Sequence, residues 1–97
     1  MENKDKRTAR LWAAVDEILW FDWDPTGVNG TPSARNEYYG FIEDVLQLLE
    51  GGADESRLSG HLLEIETKRM GLEGNPEVCR FVARKLRAVD RSRHAGE

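Results

Sequence analysis

The chain has 97 residues, 39% of them hydrophobic and 33% charged, with a formal net charge of −4. Those values fit one globular domain and exclude a disordered chain. No apolar run approaches the roughly 18 residues that cross a bilayer, and the start, Met1-Glu2-Asn3-Lys4-Asp5-Lys6-Arg7, lacks the continuous apolar centre of a secretory signal. A lone Cys79 makes no internal disulfide and no CxxC pair, so the cytoplasm is the expected compartment. The net charge hides a gradient: residues 22–66 carry ten acidic against two basic side chains, and residues 67–97 carry eight basic against four acidic. The chain is a dipole, acidic in the middle and basic at the end.

The pattern predicts an all-α fold, a compact bundle of four helices with a Trp/Asp/Pro/Gly loop between helices one and two. It forms a single domain over 1–97, with frayed ends at about 1–5 and 92–97. Helix one is expected over about Lys4 to Trp20, with Leu11, Trp12, Val15, Ile18 and Leu19 on one stripe. Trp20 lies roughly opposite Leu11 on that wheel, so either the helix has ended there or Trp20 starts an exposed aromatic patch. Pro25, Gly27 and Gly30 stop the helix. Thr31 as cap and Pro32 at the first helical position then open helix two, whose stripe is Tyr38, Ile42, Val45 and Leu49. Gly51-Gly52 ends it. Asp54 caps helix three, where Leu58, Leu62, Ile65 and the Arg69 stem share a face, and Gly71 closes it. Asn75-Pro76-Glu77 opens helix four, striped by Val78, Val82, Leu86 and Val89. The predicted core is Trp12, Val15, Leu19, Tyr38, Ile42, Val45, Leu49, Leu62, Ile65, Val82 and Leu86.

The densest stretch chemically is Trp20-Phe21-Asp22-Trp23-Asp24-Pro25-Thr26-Gly27-Val28-Asn29-Gly30. Exposed Trp rings are costly in water, so this loop either plugs the core or binds something. Asp22-Trp23-Asp24-Pro25-Thr26 matches the D-x-D-x-T nucleophile motif of haloacid-dehalogenase-type phosphotransferases. That chemistry needs a βα scaffold, a downstream Lys and further Mg²⁺-holding acids, which a short chain without strand patterns does not supply. Asp22, Asp24, Thr26 and Gly27 also fall at positions one, three, five and six of an EF-hand loop. Position twelve, where a bidentate Glu is required, is Ser33. The favoured reading is structural, with the Asp side chains capping turns while Trp23 and Val28 pin the loop to the core.

Arg80, Arg84, Arg87 and Arg91 form a ridge on helix four, opposite its apolar stripe. Guanidinium forks suit phosphates and carboxylates, so the ridge offers nucleic-acid binding or docking on an acidic protein. In a homodimer the acidic protein is a second copy of this chain. A solvated face explains it most simply. Lys85 falls within the apolar stripe and must snorkel or pair with a carboxylate. His61 is expected to be partly buried and hydrogen-bonded. Two His and one Cys so dispersed make no zinc site. No cofactor and no catalytic constellation is read from the sequence, and an enzyme is not expected.

The run Ile18-Leu19-Trp20-Phe21-Asp22-Trp23-Asp24-Pro25-Thr26-Gly27-Val28 resembles the signature of a group of small uncharacterised bacterial proteins, built on a W-D-P-x-G-V turn after an amphipathic helix. Glu37-Tyr38 and Ile65-Glu66-Thr67-Lys68-Arg69-Met70-Gly71-Leu72 resemble later features of that group. Its association with toxin-immunity loci implies a binding role and assigns no residue a task. The expected function is thus a non-enzymatic protein-binding module, of the immunity or inhibitor type, engaging a basic protein partner through the acidic middle. The candidate contacts are Trp20, Asp22, Trp23, Asp24, Tyr39, Glu43, Asp44 and Glu50; the aromatics read first as core plus rim, and the alternative is that Trp20, Trp23 and Tyr39 form one exposed patch. The alternative is binding of nucleic acid or an acidic partner through the Arg ridge.

Overall fold

The structure is a computed structural model that describes the backbone of residues 4–95 and the side chains of 8–90. Helix α1 spans Lys4–Glu17, because Leu11, Val15, Ile18 and Leu19 recur at helical spacing and give one buried edge. The helix does not stop there. Over Ile18–Trp23 the backbone widens into a π-helical turn, locked where the Asp24 N–H donates to the Leu19 carbonyl at 3.0 Å. A π turn holds more residues than an α turn, so the apolar stripe slides around the axis. Ile18, Leu19, Trp20 and Trp23 are all buried as a result. Trp20 therefore starts no exposed patch. It is 4% exposed, beneath the Arg35 guanidinium at 5.1 Å from the ring centroid.

The second helix begins later than Thr31-Pro32 suggests. Pro32–Ala34 forms only a 3-10 turn, and Thr31 makes no side-chain cap bond. Turns carry the chain on to Tyr38, and α2 runs over Tyr39–Glu50. Two anchors hold 31–38 against the first helix and its loop. Arg35 forms a bidentate pair with Asp16 at 2.8 and 2.9 Å, and the Tyr38 hydroxyl bonds the loop at Asp24 and Thr26. Gly51-Gly52 ends α2 as expected, with Gly52 at φ 80°.

Asp54 caps α3 (Glu55–Glu64) by accepting from the Arg57 N–H at 2.8 Å. This helix too ends in a π turn, Ile65–Arg69, before Gly71 reverses the chain at φ 70°. Asn75 accepts from the Val78 N–H at 3.2 Å and Pro76 takes the first position of α4, Pro76–Ala95. Of the expected frayed ends, residues 1–3 and 96–97 lie outside the described residues, while the backbone is helical from Lys4 and as far as Ala95.

No strand occurs among the described residues, and the four helices make an all-α bundle. Helix α3 packs along α4, α1 lies against α2, and α1 with its π turn leans on α4. The thinnest dimension, 17 Å, is two helix layers, so the core is a single seam. Every predicted core residue is buried except Trp12, which is half-buried. No helix of the described residues is long and apolar enough to cross a membrane. Ile42, fully buried in the middle of α2, is the direct test of that seam. Ile42→Ala is expected to lower unfolding free energy by about 2–5 kcal/mol, read from the urea midpoint at constant m-value.

Candidate functional site

Three polar groups meet where the π turn of 18–23 faces the C-terminal turn of α3. Glu66, only 3% exposed, is the centre. Its Oε2 accepts from the Trp23 indole N–H at 2.7 Å and from the Cys79 thiol at 3.2 Å. Its Oε1 accepts from the Asn75 backbone N–H at 2.7 Å. A carboxylate taken this far from water requires such partners, and here all of them are neutral donors. Gly74 makes the geometry possible. It sits at φ +90°, and a Cβ there would come within 2.7 Å of Leu63 Cδ1 and 2.9 Å of Thr67 Cγ2. Burial, aided by the hydrogen bond to Glu66 and its charge, pushes the Cys79 thiol up to about 12.

The second centre is Asp24, the only non-glycine residue at positive φ among the described residues, at φ 34°. Its Oδ1 accepts from the Val28 N–H at 2.9 Å and the Tyr38 hydroxyl at 2.7 Å; its Oδ2 accepts from the Asn29 N–H at 3.1 Å. Tyr38 in turn receives the Thr26 N–H at 3.2 Å and shares a 2.7 Å bond with the Thr26 hydroxyl. Burial first, with the Asp24 bond adding to it, raises the Tyr38 phenol to about 12. Rings close the site: Trp23 lies 5.3 Å from Tyr38 and meets Phe41 edge-on at 5.9 Å. Asp24 is thus ringed by donors, which is the arrangement of a turn cap rather than of a cation ligand or nucleophile. Asp22 is turned away from Asp24's role and pairs with Lys85 at 3.1 Å, which also answers how that lysine is accommodated on helix four. No three His, Cys, Asp or Glu side chains gather as metal ligands among the described residues.

Between these centres lies a cleft of about 370 Å³, with Asp22, Asp24 and Glu66 among its walls and Pro25, Leu72 and Val78 as its apolar side. The remaining candidates fall elsewhere. Trp20 and Trp23 are core residues, so the single exposed patch expected of Trp20, Trp23 and Tyr39 does not form. The π turn rotates both indoles inward, and Tyr39, 43% exposed, leans on Trp12 at 5.2 Å instead. Glu43 and Glu50 are exposed on α2; Asp44 is half-buried and borders a second cleft of about 340 Å³ with Gln47, Leu48, Arg57 and His61. His61 is half-buried as expected, but its Nε2 is buried without a hydrogen-bond partner. Of the ridge, Arg80 and Arg84 are exposed, Arg84 lies 3.5 Å from Glu55 and Arg87 lies 3.8 Å from Asp90. The Arg91 side chain lies outside the described residues.

Glu66, Cys79, Gly74 and Asn75 were not read as site residues from the sequence. The signal for Glu66 was present: it follows Leu58 and Leu62 at successive four-residue steps, so an acid stands on the apolar stripe of α3. Comparison of the chain with protein-family models, curated proteins and solved structures finds no match.

Trp23→Phe keeps a ring in place but deletes the donor to Glu66. A loss of about 2–3 kcal/mol is expected from urea unfolding, as for a buried hydrogen bond to a charged group. A second expectation concerns alkaline pH. Cys79 and Tyr38 have folded values near 12, above their ordinary 9.0 and 10.0. The unfolded chain therefore loses these protons first. Their contribution to stability is complete below pH 9 and disappears as pH rises toward 12. Urea midpoints should fall across that window, and Cys79→Ala should flatten the fall.

Proposed function

We propose that the chain is a non-enzymatic protein-binding module of the immunity or inhibitor kind, which engages a basic partner protein through its acidic middle. The observation that carries this reading is the fate of the charges. Three basic side chains of α4 are held by carboxylates of the same chain: Lys85 by Asp22, Arg84 by Glu55 and Arg87 by Asp90. Glu43, Asp44 and Glu50 of α2 have no ion pair among the described residues. Glu43 and Glu50 stand two turns apart on one exposed face. The α2 carboxylates are thus more open to a partner than most of the α4 ridge, and opposite charge would steer a basic protein toward them. Of the two acids of the D-x-D-x-T run, Asp24 holds the loop and Asp22 pairs with Lys85 of α4, which favours a binder over a phosphotransferase. The three stretches that resemble the W-D-P-x-G-V group meet through Trp23–Glu66 and Asp24–Tyr38. On this reading, that signature describes a scaffold.

The test is capture from host extract, followed by titration of the retained protein. Glu43→Lys with Glu50→Lys should weaken the complex on the order of tenfold, mainly through association rate, while Arg84→Ala with Arg87→Ala leaves it intact. A gel shift with double-stranded DNA at physiological salt, lost in the Arg84/Arg87 pair, would instead establish the ridge as the binding surface.

A further inference from the structure

Four large apolar side chains are exposed among the described residues: Phe21 (62%), Phe81 (50%), Tyr39 (43%) and Leu72 (38%). Tyr39 has its aromatic partner in Trp12. The other three lie on the π turn of 18–23, the loop of 70–75 and the first half of α4, of which the π turn and α4 are in contact. Leu72 forms part of the wall of the 370 Å³ cleft together with Val78. Phe81 is one helical turn beyond Val78 on α4. Phe21 directly precedes Asp22, whose carboxylate holds the Lys85 ammonium at 3.1 Å, and that ammonium lies 5.4 Å from the Phe81 ring. A single exposed apolar side chain needs no explanation, but several around one concavity mark a contact surface.

The charge of the concavity selects what fits it. Its ionisable walls are Asp22, Asp24 and Glu66, and no basic side chain lines it. Asp22 shares Lys85 at the rim. Asp24 and Glu66 are bonded only by neutral groups, namely backbone N–H, phenol, indole and thiol. Their charges are therefore solvated by dipoles and not compensated by a cation. Apolar walls around like charges focus the field on the opening. The volume lies at the low end of the range for ligand clefts, suited to one long side chain.

We propose that this face docks a segment of a partner protein in which an Arg or Lys is flanked by apolar residues. The cation enters the cleft toward Asp24 and Glu66, while the flanking residues cover Phe21, Phe81 and Leu72. This rests on the basic-partner reading and gives it a second, deeper contact than the carboxylates of α2. Trp23 supplies a reporter, because its indole N–H is bonded to Glu66 and responds to a cation arriving at that carboxylate.

The experiment is selection of a displayed random-peptide library on the intact chain, followed by titration of the enriched peptides against ¹⁵N-labelled protein. Enrichment of Arg or Lys between apolar residues is expected, with a shift of the Trp23 indole resonance. Phe21→Ser with Phe81→Ser should weaken binding at least about tenfold with only a small fall in the thermal midpoint, since half or more of each ring is exposed. Leu72→Lys, which places a like charge at the mouth, should do the same and serves if the double variant is unstable. Three results overturn the proposal: no peptide enriched, enriched peptides lacking a basic residue, or binding that survives these variants. If basic peptides bind but are lost with Glu43→Lys and Glu50→Lys and not with the Phe21 and Phe81 changes, the basic-partner reading stands and the cleft falls. If no basic peptide is enriched, both fall.

Discussion

The buried carboxylate of Glu66 is the constraint around which the other elements are placed. An acid at 3% exposure is tolerable only if donors reach it, and the three that do come from different segments: the Trp23 indole, the Asn75 backbone and the Cys79 thiol. One side chain thereby ties the π turn after α1, the loop before α4 and the first turn of α4 to the end of α3. The demand propagates backward along the chain. Trp23 reaches Glu66 because the first helix underwinds at its end, which shifts the apolar stripe. The π turn does this, and it turns Trp20 and Ile18 inward as well. It propagates forward too, since Gly74 must hold φ +90° with Leu63 and Thr67 against the space a side chain would need.

Asp24, another wall of the same cleft, performs a different task. It sits in the left-handed region, where most side chains are unfavourable and Asp is tolerated because it bonds its own neighbourhood. Two backbone N–H groups and the Tyr38 phenol satisfy it, so one carboxylate both terminates the helix and fixes the start of the segment leading into α2. Glu66 sets how elements meet; Asp24 sets how the chain turns. A motif such as D-x-D-x-T reads only the residue types, which are the same for a nucleophile, a cation ligand and a cap. The donors around the oxygens decide between them, and those come from residues outside the motif.

The parts legible in the sequence are those fixed by local periodicity and by local caps. The stripes of α2, α3 and α4, the Asp54 and Asn75 caps and the Gly51-Gly52 stop all follow from spacings of three and four residues, as does the burial of Ile42, Leu62 and Leu86. What escaped was everything that breaks the 3.6 period. A wheel built at 100° per residue puts Trp20 opposite Leu11, and only the π turn brings it round. Glu66 is a different case: its spacing from Leu58 and Leu62 places an acid on the stripe of α3, but the donors that make it a centre come from distant segments. Thr31-Pro32 looked like the start of a long helix because cap chemistry is local. The tertiary pull of Asp16 on Arg35 and of Asp24 on Tyr38, which delays that start, is not.

Because the carboxylates that hold the fold also wall the cleft, any ligand that the cleft took would be linked to stability. Asp24 and Glu66 are solvated by dipoles alone, so the folded state carries an unneutralised negative field that the unfolded chain does not organise. A cation docking there binds the folded form and raises its stability by mass action, as RT ln(1 + [L]/Kd). The exposed carboxylates of α2 behave differently. Glu43 and Glu50 are exposed and form no ion pair among the described residues, so charge reversal there leaves unfolding nearly unchanged. The molecule thus separates two electrostatic roles. On the proposed reading, the α2 surface would govern how fast an oppositely charged partner arrives and the cleft how long it stays, because apolar contact and a partly desolvated charge are what slow dissociation.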